Sequence, residues 1–194
     1  MQTLTIALLT VLTLGGCGSI HYDYSKEPDP RKQEFVVGVS DGLRITVWKN
    51  PELSTDATVR PDGTITLPLI GDLHAAGQTP SALTREITKR LATYVKDDAS
   101  AVTVAVTSVN SYRFTVSGNV EHGGVFSEKY FVTAAEAIAL AGGLNKFADG
   151  KHMVIVRSDS SGARRIPLDY DRIASGTHPD EDLVLLAGDT LFVP

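Results

Sequence analysis

With one cysteine in 194 residues, the chain can form no internal disulfide. A fold in an oxidising compartment would have to rely on packing or assembly instead. Cationic residues are also in the minority, 18 Lys and Arg against 23 Asp and Glu for a formal charge of -5. No basic stripe compensates, which argues against nucleic acid as a partner. The five histidines, His21, His74, His122, His152 and His178, are scattered singly, without the HxH or HExxH spacing of a metal site. There is no GxSxG nucleophile elbow, and no carboxylate pair stands out as the two acids of a glycan hydrolase. A non-enzymatic protein without a metal or other cofactor is expected. Long apolar runs are missing too. The longest, Leu4 to Leu14, has 11 residues, whereas a bilayer-spanning helix needs about 20.

That short run suits the apolar region of a secretory leader, although no Lys or Arg precedes Lys26. It leads into Leu14-Gly15-Gly16-Cys17. Three readings compete for the thiol: a buried small hydrophobe, a reactive or metal-binding group, and a point of covalent attachment. The four residues resemble the lipobox of bacterial lipoproteins. That resemblance implies cleavage before Cys17 and acylation of its sulfur and its new amine, with residues 1–16 as signal peptide. An ordinary cleaved signal peptide and a buried free cysteine are the alternatives. Each buried methylene contributes about 0.8 kcal/mol, so more than one acyl chain gives lasting attachment. In enterobacterial lipoproteins Asp after the cysteine favours the inner membrane. Gly18 stands there instead, which points to the periplasmic face of the outer membrane.

Residues 17–33 contain HYDYSKEPDPRKQ, polar and punctuated by proline, and read as a flexible, lipid-attached tether. The rest is long enough for one large or two small domains. In SDGLRITVWKN, Leu43, Ile45 and Val47 alternate with Arg44, Thr46 and Trp48, the pattern of a half-buried strand. Pro61-Asp62-Gly63 predicts a hairpin turn. Thr79 can cap a helix with Pro80 at its first position, and Leu83, Ile87, Leu91 and Val95 line one face over about four turns. Alternation returns from Ala101 to Val109, and a first α+β module closes near Asn110. A second opens with YRFTVSGNV and turns at Gly123-Gly124. It continues through a short helix capped by Thr133 and ended by Gly142-Gly143. A hairpin about Ser160-Ser161-Gly162 follows, and DLVLLAGDTLFVP closes in strand. Strands, a helix, then more strands suggest a mixed β-grasp. The expected class is α+β, with modules at 34–110 and 111–194.

The first of these resembles the polysaccharide export domain of outer-membrane capsule and exopolysaccharide export lipoproteins. The resemblance is carried by Asp41, Leu43, Ile45 and Val47, Pro51-Glu52-Leu53, Val59, Asp62-Gly63, Leu67-Pro68-Leu69-Ile70-Gly71 and Gly77. Residues 111–194 resemble the soluble-ligand-binding β-grasp (SLBB) domain that follows it in that family, through Val116, Gly118, Val120, Ala141-Gly142-Gly143, Arg157, Gly188-Asp189 and Val193-Pro194. Gly123-Gly124 replaces the family's usual Pro-Gly. Long members continue into further domains and a pore-forming helix. This chain, ending at Pro194, resembles the short form and is expected not to line a channel alone.

The resemblance implies a lipid-anchored, ring-forming component of an export machine, through whose axis a polysaccharide passes. Its partners would be an inner-membrane polysaccharide co-polymerase and a separate outer-membrane barrel or companion protein. The alternative is a monomeric β-grasp lipoprotein that binds a small ligand or acts as a scaffold. Asp41, Asp62 and Asp189 each neighbour glycine, so a turn role outweighs sugar binding. Gly63, Pro68, Gly71, Gly118, Gly142, Gly143 and Gly188 read as turn and packing residues. Trp48 is expected to be buried in the core or an interface. The runs Lys96-Asp97-Asp98 and Asp180-Glu181-Asp182 read as solvated loop faces.

Overall fold

A computed structural model of the chain describes residues 22–94, 101–159 and 162–194. Cys17, the leader, Val95, the Lys96-Asp97-Asp98 run and Ser160-Ser161 lie outside the described residues. The buried side chains fall into two clusters, one drawn from residues 37–104 and the other from 112–193. The class is α+β, as expected from the sequence.

The first cluster is built on β1 (Gly42–Val47), whose Leu43, Ile45 and Val47 point inward while Arg44 and Thr46 face solvent. Antiparallel neighbours β2 (Thr55–Thr58) and β5 (Val102–Ser108) flank it in the order β2-β1-β5. Helix α1 (Pro80–Leu91) closes the core with Leu83, Ile87 and Leu91. The Thr79 hydroxyl accepts from Ala82 N–H at 3.2 Å, and Pro80 occupies the first turn, where no amide proton is needed.

Pro61-Asp62-Gly63 does turn the chain, with Gly63 at φ 78° and its N–H donated to Arg60. It is not a hairpin within one sheet, however. The strand before it pairs with β1, whereas β3 (Thr64–Leu67) pairs with β4 (Gly71–His74) in a separate two-stranded ribbon. Pro61 has no N–H to extend the β2 ladder, and the segment crosses from one sheet to the other there. The true hairpin is Leu67-Pro68-Leu69-Ile70-Gly71, with Leu69 at φ 62° and Gly71 at φ 75°.

The second cluster lies beneath a five-stranded mixed sheet. Its strands are β6 (Arg113–Gly118), β7 (Gly124–Ser127), β8 (Met153–Asp159), β9 (Gly162–Leu168) and β10 (Thr190–Val193), in the order β7-β6-β10-β8-β9. β10 runs parallel to β6 and antiparallel to β8, a β-grasp arrangement. Helix α2 (Ala134–Leu140) packs Ala134, Ala137 and Ile138 against the sheet. Thr133 and Glu136 form a reciprocal capping box at its start. At its end Gly142 and Gly143 take φ 82° and 94°, and Gly143 N–H returns to Ile138 O at 2.9 Å.

Three segments differ from their sequence reading. The apolar run before Gly188 is a buried loop; only Thr190–Val193 is strand, and Val184 makes an isolated bridge to Thr133. Its hydrophobicity comes from packing, since Leu185 is fully buried and its N–H bonds Val132 O. Within the expected DYD strand end lies a short helix, α3 (Tyr170–Ala174), capped by Asp169. And residues 22–33, expected to be a flexible tether, form a strap of two one-turn helices, Tyr24–Lys26 and Pro30–Lys32, capped by Asp23 and Asp29. Trp48, expected in the core or an interface, is 62% exposed in the single chain.

Candidate functional site

Asp41 sits where the two cores meet. It is fully buried, and both its oxygens are occupied. Oδ1 accepts from the N–H groups of Asn110 and Ser111 at 2.7 and 2.8 Å. Oδ2 accepts from Gly38 N–H and from the Ser111 hydroxyl, both at 2.7 Å. One carboxylate thus ties the entry of β1, the loop at Gly38 before it and the segment at Asn110-Ser111 that links the two cores into one knot. Charge-assisted bonds of this kind are roughly twice as strong as neutral ones. The knot also needs a small partner, because a Cβ on Gly38 would lie 2.3 Å from Ser111 Cβ.

A second carboxylate cluster holds the strap. Arg157, at 3% exposure, donates from Nε to Asp189 Oδ1 at 3.0 Å and from Nη2 to Asp189 Oδ2 at 2.6 Å. Its Nη1 reaches Glu27 Oε2 at 2.8 Å and Nη2 also bonds Val184 O at 3.1 Å. Arg164 grips the same Glu27 carboxylate, with Nη2 at 2.9 Å from Oε2 and Nη1 on Oε1. The Tyr22 hydroxyl donates to Oε1 as well. Leu186 N–H donates to Asp189 Oδ2 at 2.7 Å, across the turn at Gly188, whose φ is 88°. Burial disfavours the ionised Glu27 side chain, but hydrogen bonds from Arg164 and Tyr22 and the charges of both arginines outweigh it. Its pKa lies below the ordinary glutamate value.

A third carboxylate group is exposed. Arg60 reaches across the turn to Asp62 and across the β3-β4 ribbon to Asp72, whose Oδ2 lies 2.9 Å from Nη2. It also donates to Thr66 Oγ1 at 2.9 Å. Asp62 accepts from the hydroxyl and N–H of Thr64 at 2.6 and 3.0 Å. Those bonds and Arg60 hold its carboxyl down to about 2.

Asp41, Asp62 and Asp189 therefore stand in three separate clusters rather than in one cleft. Pro68 and Gly71 belong to the ribbon turn. Gly118, at φ 92°, lies where a Cβ would approach Val193 O to 1.9 Å, so the parallel β6-β10 contact requires glycine. Gly142 faces His122 closely, and Gly143 ends α2. No group of three or more metal-ligating side chains occurs among the described residues. Of the expected solvated run, Asp180 is exposed, but Asp182 Oδ1 accepts from Ala135 N–H at 2.9 Å at the start of α2. Glu181 between them is buried, and its Oε2 accepts from Asp169 N–H at 3.1 Å.

Two concavities flank the knot and the strap. One, about 390 Å³, lies between the strap and residues 179–184, lined by Tyr22, Tyr24, Arg31, Lys32, Asp180 and Asp182. The other, about 400 Å³ and mostly apolar, lies between the modules, lined by Pro30, Phe35, Val36, Val39, Tyr112 and Phe131. Sequence reasoning missed Glu27 and Arg164. The available signal was a lone Glu in a proline-flanked segment, and its partners are 130 and 137 residues away.

Residues 29–107 match a family described as polysaccharide biosynthesis/export protein. The chain is 31% identical over 144 residues to the exopolysaccharide production protein ExoF of Rhizobium meliloti (strain 1021), covering 68% of this chain and 34% of the relative. It is 32% identical over 135 residues to the EPS I polysaccharide export outer membrane protein EpsA of Ralstonia solanacearum, covering 57% of this chain and 35% of that protein. EpsA of Ralstonia nicotianae (strain ATCC BAA-1114 / GMI1000) matches at the same identity and coverage. The chain thus spans about a third of the length of these relatives.

Proposed function

We propose, from the premise that this chain belongs to the polysaccharide biosynthesis/export family, that it is a non-enzymatic component of an exopolysaccharide or capsule export complex at the outer membrane. Acyl chains on Cys17 hold it on the periplasmic face. Copies assemble into a ring whose axis gives the hydrated polymer a passage. An inner-membrane polysaccharide co-polymerase hands the polymer over, and a separate barrel or companion protein carries it across the outer membrane. Residues 111–194 act as an SLBB-type β-grasp in assembly.

The observation that carries this reading is the match over residues 29–107, the stretch that folds as β1 to β5 with α1. Two relatives bear names that describe export at the outer membrane. The chemistry of the acidic positions is compatible with a scaffold. Asp41 and Asp189 have their oxygens engaged by backbone amides, a hydroxyl and an arginine, and Asp62 by Thr64 and Arg60. A ring needs rigid protomers, and these bonds give the chain rigid corners.

The test is genetic. Deleting the gene should abolish polymer at the cell surface while intracellular synthesis continues, and a plasmid copy should restore it. Normal surface polymer in the deletion strain would overturn the reading.

A further inference from the structure

The strap and residues 179–184 face each other across the cleft of about 390 Å³, a volume within the range of small-ligand sites. Both walls are fixed from behind. On the strap side Asp23 and Asp29 cap the two one-turn helices, Glu27 is clamped by Arg157 and Arg164, and the Tyr24 hydroxyl donates to Pro167 O at 2.9 Å. On the other side Ala134 N–H donates to Leu183 O at 2.9 Å, Arg157 Nη2 donates to Val184 O at 3.1 Å, and buried Glu181 accepts from Asp169 N–H. A preformed cleft of this kind needs little ordering when a ligand enters it.

The lining supplies three kinds of group. Tyr22 and Tyr24 contribute two rings, with centroids 5.1 Å apart and planes inclined at 52°. Asp180 and Asp182 contribute acceptors. Among the described residues Asp180 pairs only with His178, at 3.8 Å, beyond hydrogen-bond length, and Asp182 engages one oxygen with Ala135 N–H. Lys32 contributes donors: its side chain is 81% exposed, and Asp29, its paired carboxylate, is 3.9 Å away.

Charge then selects among ligands. Asp23, Asp29, Asp180 and Asp182 outnumber Arg31 and Lys32, while the remaining carboxylate, Glu27, is held by two arginines. An anionic ligand would be repelled. A bare cation would use the acceptors and leave the rings and Lys32 without a role. A sugar unit uses all three, because its C–H patches lie on aromatic faces and each hydroxyl both donates and accepts.

We propose that this cleft is a saccharide-binding site for a neutral or amino-bearing sugar unit, with Tyr22 and Tyr24 as stacking rings, Asp180 and Asp182 as acceptors and Lys32 as donor. The inference deepens the export reading and rests on it for the source of the sugar, the exported polymer.

The test is titration of the purified full-length protein in detergent micelles, followed by amide chemical shifts. The probes are short oligosaccharides from partial hydrolysis of the strain's own exopolysaccharide, chitosan oligomers as amino sugars, oligogalacturonate as an anion and an oligolysine peptide. The polymer fragments or the chitosan oligomers should shift amides of residues 22–32 and 179–184 and little else. Asp180→Ala, at an exposed position, should weaken that binding about tenfold, the loss expected for one charge-assisted hydrogen bond. Glu52→Ala, in the first module, should leave it unchanged. Absence of shifts in the cleft with every saccharide would overturn the site, and unchanged affinity in Asp180→Ala would overturn the role of that carboxylate. Oligogalacturonate binding as tightly as the other sugars would overturn selection by charge, and oligolysine binding in their place would make the cleft a peptide site. A silent cleft, in a strain whose gene deletion abolishes surface polymer, would strike this inference and leave the export reading standing.

Discussion

Asp41 and Ser111 stand 70 positions apart and share two hydrogen bonds, Ser111 N–H to Oδ1 at 2.8 Å and the Ser111 hydroxyl to Oδ2 at 2.7 Å. A local motif, Asp before Gly at the start of a strand, is thus also the point at which the second module is fastened to the first. Gly38 and Asn110 donate to the same carboxylate, so removing it strands several amides at once.

Asp41→Ala should cost about 3 kcal/mol or more, the range for leaving several buried donors unsatisfied. Asp41→Asn, which keeps one acceptor oxygen, should cost less. Urea unfolding followed by Trp48 fluorescence, which reports on the first module, and by hydrogen exchange over residues 111–194 would measure both. Loss of coincidence between the two probes in Asp41→Ala would show the modules uncoupled; unchanged midpoints would refute the knot.

Glu27→Ala removes the one strap carboxylate between Arg157 and Arg164. Breaking a buried pair from one side costs about 3–5 kcal/mol, and that loss should fall on the strap and the second core. Amide exchange over residues 22–33 should accelerate far more than exchange in α1. Protection of the strap equal to wild type would mean that Tyr22 and Tyr24 hold it without the carboxylate.

Acid should act through the same groups. Glu27 titrates below its ordinary value of 4.5 in the fold, so its contribution is complete above that pH and is lost as pH falls through the lowered value. Asp62, held down to about 2, releases its contribution later, as pH falls from its ordinary 3.8 towards 2. Melting temperature should be nearly independent of these groups at neutral pH and decline below about pH 4.5. Glu27→Gln should begin from a lower value and decline less steeply; a parallel curve would exclude Glu27 as a source of the acid sensitivity.

Two glycines separate crowding from backbone preference. At Gly71 a Cβ meets nothing within 4 Å, so Gly71→Ala should cost only the left-handed conformation, about 1 kcal/mol. At Gly118 the Cβ would be driven into Val193 O at 1.9 Å, and Gly118→Ala should part β6 from β10. The expected loss is at least about 3 kcal/mol. Equal losses in paired thermal melts would contradict the close approach.

Much of the architecture could be read from local pattern. The alternation of Leu43, Ile45 and Val47, the Thr79-Pro80 start of α1 and the Gly142-Gly143 end of α2 are each written within a few residues, where periodicity and capping chemistry are decisive. What escaped was set by distant partners. Glu27 stood within a segment read as a flexible tether because Arg157 and Arg164, which hold it, are remote in sequence. Leu183 to Leu186 looked like strand because burial in a loop produces the same apolar signal as a ladder. The PDG turn was visible, but not that its two flanks join different sheets. Asp189 was marked by its neighbour Gly188, while its chemical partner, Arg157, comes from β8.

The position of β10 bears on the order in which the second module can form. β6 and β7 can pair as one hairpin and β8 and β9 as another, but among the described residues the two pair within the sheet only through β10, the last of the five strands to be synthesised. Until Thr190 to Val193 arrive, the hairpins have no common strand and Asp189 has not yet met Arg157. Closure of this sheet is a non-local, late event, of the kind that slows folding. A chain cut just before Thr190 would keep nearly all of its length yet be left with two unjoined hairpins.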